Sequence, residues 1–258
     1  SAGLDPLSST TLICVGSAIV ALVPLPFVGN PAWAAWPWLV ASTVIHLVYF
    51  AALIEAYRAG DLGQVYPIAR GSAPLMTAMA TTFFIGEALS VIAWAGIVVL
   101  VSGVFLLSAK GGRDLTSIDR KAVGFALLTA ASICAYSVID GIGARASGNS
   151  VAYVFWLFIL TAVLVVPYAL YRDGRNIVQP MRVYWRRGLA GGAFQVLCYG
   201  IVLWAMTLAP IAIVATLRET SVLFGAVIAV VLLKEPLRAI RVVAGLLILC
   251  GLVLIRLQ

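Results

Sequence analysis

The chain has 258 residues, of which 63% are hydrophobic and only 10% charged, and its mean hydropathy is +1.08. Soluble domains carry about 25% charged and about 45–50% apolar residues, so this mixture excludes a surface covered for water and implies lipid as the solvent. The net charge of +7 does not point to nucleic acid, because the basic residues sit in short gaps between apolar runs, not in a basic stripe with interleaved aromatics.

A spanning helix needs about 20 mostly apolar residues. Runs of that length predict helices at roughly 10–28, 36–57, 64–85, 90–108, 122–143, 151–171, 188–208, 211–233 and 240–257. Breaker or charged residues separate them: Gly29-Asn30-Pro31, Gly60-Asp61, Gly86-Glu87, the basic loop 109–121, 147–150, 172–187, Ala209-Pro210 and Lys234-Glu235-Pro236. No segment sustains period-two alternation, so a β-barrel is not expected. The fold class read from this pattern is an all-α integral membrane protein with about nine transmembrane helices. Residues 1–9 lack the basic start of a signal peptide, and the chain reads as a piece of a longer reading frame.

Lysine and arginine fall on alternate connections. One side holds Arg58, Lys110, Arg113, Arg120, Lys121, Arg172, Arg175, Arg182, Arg186, Arg187, Lys234, Arg238 and Arg241. The other holds Arg145 and Arg256, a bias of thirteen to two that places the first group in the cytoplasm and the C-terminus outside. Trp33, Trp36 and Trp38 cluster at one helix start, as an aromatic belt does.

Sliding the chain by 148 residues lays 66–107 on 214–255. Arg70 then meets Arg218, Ser72 meets Thr220, Glu87 meets Glu235 and Gly103 meets Gly251. This predicts a first repeat over 1–108 with four helices and a second over 122–258 with five. The helix at 122–143 has no partner in the first repeat, so a ten-helix, five-plus-five bundle lacking its first helix is expected. An odd number of helices per repeat turns the halves over relative to each other, the inverted plan of many secondary transporters.

Ionisable residues at membrane depth need a reason, since they cost roughly 2.5–3.5 kcal/mol on insertion scales. His46 lies mid-helix with Tyr49 and Phe50 on its face, and reads either as a cavity residue or as an interhelical packing bond. Glu55 with Arg58 reads as an interfacial ion pair. Arg70 sits in YPIARGSAP, where Pro67 and Pro74 are expected to kink the helix, with Thr77 and Thr81 continuing its face. Arg218 and Glu219 form the second copy, and adjacent residues on a helix diverge by about 100°, so these two need not pair. Ser132, Tyr136 and Asp140 share a face, as do Gln195 and Tyr199, and either row serves a solute or glues helices. Asp140 lies near a helix end and reads also as interfacial. Glu87 and Glu235 each follow a tight turn and are expected to favour the N-terminus of the helix they open. Cys14, Cys134, Cys198 and Cys250 stand alone in apolar runs and read as small buried packing residues, with no metal or disulfide framework. No nucleophile elbow, zinc helix, phosphate loop or dinucleotide fingerprint occurs, so no catalytic residues and no cofactor are expected.

The stretches 56–107 and 204–255 resemble the EamA-type domain of the drug/metabolite transporter superfamily. The resemblance lies in a small-residue helix end, a polar start to the next helix, a Gly86-Glu87 or Lys234-Glu235 turn, and a last helix with Gly96/Gly103 or Gly245/Gly251. It implies ten helices in two inverted repeats, a central cavity, and gradient-driven movement of small metabolites, often export of amino acids or related compounds. It transfers no substrate. Two departures are the absent first helix and a C-terminus that the charge bias puts outside, where family members usually have it inside.

The leading expectation is a secondary transporter of the plasma (inner) membrane working by alternating access. His46, Tyr49, Arg70, Tyr136, Gln195, Tyr199 and Arg218 are its candidate substrate contacts, and Asp140 and Glu219 its candidate ion-coupling groups. The expected partners are the lipid bilayer and a small solute, with no nucleic acid, and a homodimer stays open. The alternatives are a lipid-linked sugar carrier of the same superfamily and a polytopic membrane enzyme acting on a lipid-linked substrate. The enzyme would need a reactive pair that the sequence does not display.

Overall fold

A computed structural model describes residues 4–59, 62–109, 120–224, 227 and 239–257, and all regular structure among them is helical. Helix α1 (Pro6–Leu22) starts where the Asp5 carboxylate accepts the Leu7 N–H at 3.1 Å, with proline in the first helical position. The expected span to 28 is shorter, because Pro24 and Pro26 remove two helix donors, and a single turn, α2 (Leu25–Val28), follows. A 3-10 turn at Trp33–Ala35 then leads into α3 (Trp36–Ala59).

Helix α4 (Leu62–Ala80) continues through Pro67 and Pro74, and the irregular backbone comes later, as a wide π-type turn at Thr81–Ile85 closed by left-handed Gly86 (φ 74°). Ser90 then caps α5 (Val91–Ala109) by accepting the Ala93 N–H at 3.1 Å. Helices α6 (Arg120–Ala146) and α7 (Ser150–Asp173) follow, and Asn149 caps α7 through the Ala152 N–H at 3.1 Å.

Residues 172–187 are not the loop that their charge suggests. A 3-10 turn at Gly174–Ile177 feeds α8 (Val178–Leu208), which bends at Tyr184 (φ −109°, ψ 17°). The Arg187 guanidinium lies 5.3 Å over the Tyr184 ring and that of Arg186 5.4 Å over Trp185. Arginines that stack on interfacial aromatics keep their charge at the headgroups, so a helix extends beyond its apolar stretch.

The expected span 211–233 is interrupted. Helix α9 (Ile211–Arg218) ends in a tightened turn, in which the N–H groups of Glu219, Thr220, Val222 and Leu223 bond to the carbonyls three residues back at 2.9–3.1 Å. Helix resumes at 221–224, and α10 (Ala239–Arg256) is the last element. The Glu235 turn, the loop 110–119 and the Arg58 side chain, and with it the expected Glu55–Arg58 pair, lie outside the described residues.

Four helical stretches, Trp33–Ala56, Lys121–Ala146, Ser150–Asp173 and Val178–Leu208, are long and apolar enough to cross a membrane. Pro6–Leu22, Val91–Leu107 and Val242–Arg256 are shorter apolar helices.

The chain forms two compact units and changes unit after Ile54, Val138 and Leu208. In the unit holding α1, α7 and α8, backbones touch: a Cβ on Gly16 would stand 2.1 Å from the Gly188 carbonyl oxygen, and one on Gly192 2.3 Å from the Gly16 carbonyl carbon. Such closeness lets membrane helices gain dispersion energy where burial from water gives none. In the unit holding α4, α5, α9 and α10, helices α5 and α10 cross antiparallel. A Cβ on Gly96 would lie 2.9 Å from the Gly251 carbonyl oxygen, and one on Gly103 2.8 Å from that of Ala244. The 148-residue offset carries Gly96 to position 244 and Gly251 back to Gly103, so each contact is the image of the other.

Several polar residues read from the sequence serve their own helices. Thr77 and Thr81 are buried and donate to the carbonyls of Ala73 at 2.8 Å and Ala78 at 3.3 Å, so they do not extend a face toward solute. Ser132 does the same to Leu128 at 2.8 Å. The cysteines are not uniformly buried: Cys14 is, Cys134 is partly so, and Cys198 and Cys250 are exposed. A thiol facing hydrocarbon carries little penalty, so an apolar run does not say which way its cysteine points.

Candidate functional site

Two polar clusters stand out against this apolar background, one in each unit. The first is built on Asp140, which is wholly buried six residues before the end of α6. Its Oδ1 accepts the Tyr153 hydroxyl at 3.0 Å, and its Oδ2 accepts that of Tyr199 at 2.5 Å. The Ser42 side chain, on α3, lies near the same carboxylate. His46 completes the group, with Nδ1 2.9 Å from the Ser42 carbonyl oxygen and 3.1 Å from Ser42 Oγ. A carbonyl only accepts, so the contact with the Ser42 carbonyl assigns the proton to Nδ1. The imidazole also meets the Tyr199 ring edge-on, with centroids 6.1 Å apart. Two O–H donors, from α7 and α8, thus converge on one carboxyl group, as a buried polar side chain requires.

A glycine makes this possible. A Cβ on Gly143 would stand 2.5 Å from the Tyr153 hydroxyl oxygen, so only glycine leaves room for Tyr153 to reach Asp140. Gln195, one turn before Tyr199, meets Ser17 instead: the Ser17 hydroxyl lies 3.1 Å from Gln195 Oε1. Gln195 lines a cavity of about 330 Å³ with Thr10, Cys14, Phe50 and Gly191. Tyr49 is half-buried, its ring 5.1 Å from that of Phe50.

The second cluster lies in the other unit, at the break after α9. Glu219 is 1% exposed, and its two oxygens face different guanidiniums. Arg70 Nε is 3.1 Å from Oε2, and Arg218 Nε is 3.6 Å from Oε1. Glu219 therefore does meet its neighbour Arg218. The divergence of adjacent residues holds only on a regular helix, and α9 has ended. Arg70 Nη2 also donates to Ser221 Oγ at 3.3 Å, and the Arg218 guanidinium lies 5.8 Å over the Tyr136 ring. The arginine side chains are 23% and 14% exposed, so a solute reaches them more readily than it reaches Glu219.

The two arginines are images of each other under the 148-residue offset, but the carboxylate is not repeated: the position matching Glu219 is Gly71. A Cβ there would stand 2.5 Å from the Phe105 ring, which occupies the space. Two repeat-related guanidiniums therefore meet at a single carboxylate.

Glu87 is structural, but the helix it serves is not its own. Its Oε1 accepts the Ile211 N–H at 3.0 Å and its Oε2 that of Ala212 at 3.4 Å, so it caps α9, the helix that delivers Arg218. Arg145, one of the two basic residues on the sparse side, donates through Nε to the Met206 carbonyl at 2.8 Å. It sits at the C-terminal end of α8, where a cation is favoured.

Compared with known proteins, residues 1–109 and 120–257 match the model of the EamA-like transporter family. The chain belongs to that family. It is thus a multi-pass integral membrane protein of a transporter family, within the drug/metabolite transporter superfamily. A solved crystal structure overlays this EamA-like transporter with a TM-score of 0.74 at 20% identity, covering 100% of this chain and 90% of the other. At that identity the likeness speaks for the fold alone. No curated protein sequence matches the chain.

Of the residues singled out from the sequence, His46, Tyr199 and Asp140 come together in one unit of this EamA-like transporter, and Arg70, Tyr136, Arg218 and Glu219 in the other. Sequence reasoning missed Ser42, Tyr153 and Ser221. Their hydroxyls look like any others in an apolar run, and only Gly143, three residues after Asp140, hints that something bulky arrives there.

Proposed function

We propose that this EamA-like transporter is a secondary-active carrier of the plasma membrane that moves small metabolites, such as amino acids or related compounds, outward by alternating access of two inverted repeats. In one unit Arg70, Tyr136 and Arg218 contact the solute. In the other, His46, Tyr49, Gln195 and Tyr199 do so. Asp140 and Glu219 are the groups that carry the coupling proton.

The observation that carries this reading is the Arg70–Glu219–Arg218 cluster. Two arginines and a glutamate inside an apolar helical unit are costly unless they serve a purpose. The cluster lies at an interrupted helix, and broken helices at membrane depth are where carriers of this plan bind solutes and ions. The family match supports transport in general, and the absence of a phosphate-binding loop from the sequence favours a gradient over direct use of ATP.

The test is solute flux in proteoliposomes holding the full chain, with and without an imposed pH gradient. Gradient-dependent flux of an amino acid or related metabolite, lost in Arg70→Ala at equal incorporation, is the expected result. Flux unchanged by Arg70→Ala would sink the assignment of Arg70.

A further inference from the structure

We propose that the carboxylate of a transported acid takes the seat of the Glu219 carboxylate between Arg70 and Arg218, and that Glu219 binds one proton as it gives up that seat. This rests on the transport reading above and names the solute class, a small carboxylate, together with the way its passage is tied to protons.

The geometry of the seat comes first. The Glu219 carboxylate presents one oxygen to Arg70 Nε at 3.1 Å and the other to Arg218 Nε at 3.6 Å. It lies at ion-pair distance from both guanidiniums, one oxygen toward each but without a hydrogen bond to either Nε, and the Ser221 hydroxyl beside Arg70 is a further polar group. Planar guanidiniums bind carboxylates through paired N–H···O bonds, so a ligand carboxylate can be gripped more closely here than Glu219 is. A solute carboxylate that engages both arginines needs the same seat; the two side chains are 23% and 14% exposed, while the Nε atoms facing Glu219 are buried.

The asymmetry of the repeats comes second. Arg70 and Arg218 are equivalent under the 148-residue offset, yet the glutamate at 219 has glycine at its counterpart, 71. The Phe105 ring, 2.5 Å from where a Gly71 Cβ would stand, fills the space a second side chain would need. A single internal carboxylate bridging two symmetric cations stands in for the ligand of the pair.

The means of release comes third. Glu219 lies beyond the last residue of α9, where bonding shifts to i→i+3, so its backbone is not fixed in a continuous α-helical ladder. At 1% exposure its side chain is shut off from bulk solvent. A carboxylate detached from its arginines in such a place is far costlier ionised than protonated, so its release and the uptake of a proton go together. One anion and one proton enter, and the cluster keeps its charge. Among the described residues, the charged and titratable groups that face Glu219 are Arg70 from α4 and Arg218 from α9, with Tyr136 from α6 beneath the Arg218 guanidinium. Helix α5, packed against α4, carries none.

Linkage makes the coupling reciprocal: if anion binding brings a proton in, acid tightens anion binding by the same free energy. With one proton taken up per anion, affinity weakens by about tenfold for each unit of rising pH.

The experiment is calorimetry on the full chain in nanodiscs at fixed pH, in two buffers of different ionisation enthalpy. Acetate, benzoate and L-phenylalanine are the probes, and benzamide and L-phenylalaninamide the carboxylate-free controls. The expected result is binding of at least one carboxylate but not of its amide, with close to one proton taken up per molecule. Glu219→Gln should bind the same probe at least as tightly, with no proton uptake and no pH dependence. Binding of a carboxylate by the wild-type chain without proton uptake overturns the exchange and leaves the transport reading standing. Binding of the amides alone overturns the carboxylate class. Failure of all five probes to bind, in a chain that still carries some other solute in liposomes, also overturns the class. No flux of any solute is the separate failure of the transport reading. The wild-type proton count stands even where Glu219→Gln fails to fold, and an uptake that persists in Asp140→Asn assigns the proton to Glu219, whereas its loss there overturns the assignment.

Discussion

Glu87 holds the first turn of α9 from 124 residues away, its Oε1 accepting the Ile211 N–H at 3.0 Å. Pro210 precedes that turn and supplies no side-chain cap, so the Glu87 carboxylate satisfies donors that would otherwise face hydrocarbon or protein unpaired. Because α9 ends at Arg218, the cap also fixes one arm of the ionic cluster. Glu87→Ala should lower stability by about 1–2 kcal/mol, and Glu87→Gln, which keeps an acceptor without the charge, by less. Thermal unfolding in detergent, followed by fluorescence-detected gel filtration, reads both. Identical midpoints for wild type and Glu87→Ala would contradict the cap.

Gly71 allows Phe105 to sit where a side chain at 71 would be. Gly71→Ala should cost about 1–3 kcal/mol as an overpacking change, and Phe105→Leu should recover part of that loss in the double variant. Four-way melting of wild type, both singles and the double gives the coupling energy. Additive losses would show that the two positions do not compete for space.

Asp140 and its two tyrosine hydroxyl partners predict a different pattern. Tyr199→Phe removes one donor and should destabilise by about 1–3 kcal/mol, with Tyr153→Phe similar and Gly143→Ala worse, since it displaces Tyr153 altogether. Asp140→Asn keeps the shape and removes the charge. It should fold, and it should lower flux driven by a pH gradient, with the remainder coupled through Glu219, while keeping counterflow between equal solute pools. Full gradient-driven flux in Asp140→Asn would remove Asp140 from the coupling.

The sequence carried the apolar runs, and with them most of the helices, and the 148-residue offset that lays Arg70 on Arg218. Hydropathy could not show where a run breaks internally. The interruption after Arg218 is a matter of local hydrogen bonding in LRETS, and with the helix drawn straight through, Glu219 points away from Arg218. Charge misled at 172–187 for the opposite reason: arginines that lie over Tyr184 and Trp185 leave α8 helical through a stretch that reads as loop. Partners from distant helices were illegible in principle. Nothing around Asp140 names Tyr153 or Ser42, and nothing around Glu87 names Ile211, because those pairings are set by which helices pack together.

The central claim is that Arg70 and Arg218 act as one device on one ligand, and a double-mutant cycle on flux tests it most directly. Proteoliposomes with equal amounts of wild type, Arg70→Ala, Arg218→Ala and the double variant would be compared for solute flux. Residues that act as a unit are strongly non-additive. Each single variant is therefore predicted to lose nearly all flux, and the double to be no worse than either. Independent, multiplicative losses, or full flux in either single variant, would contradict the account.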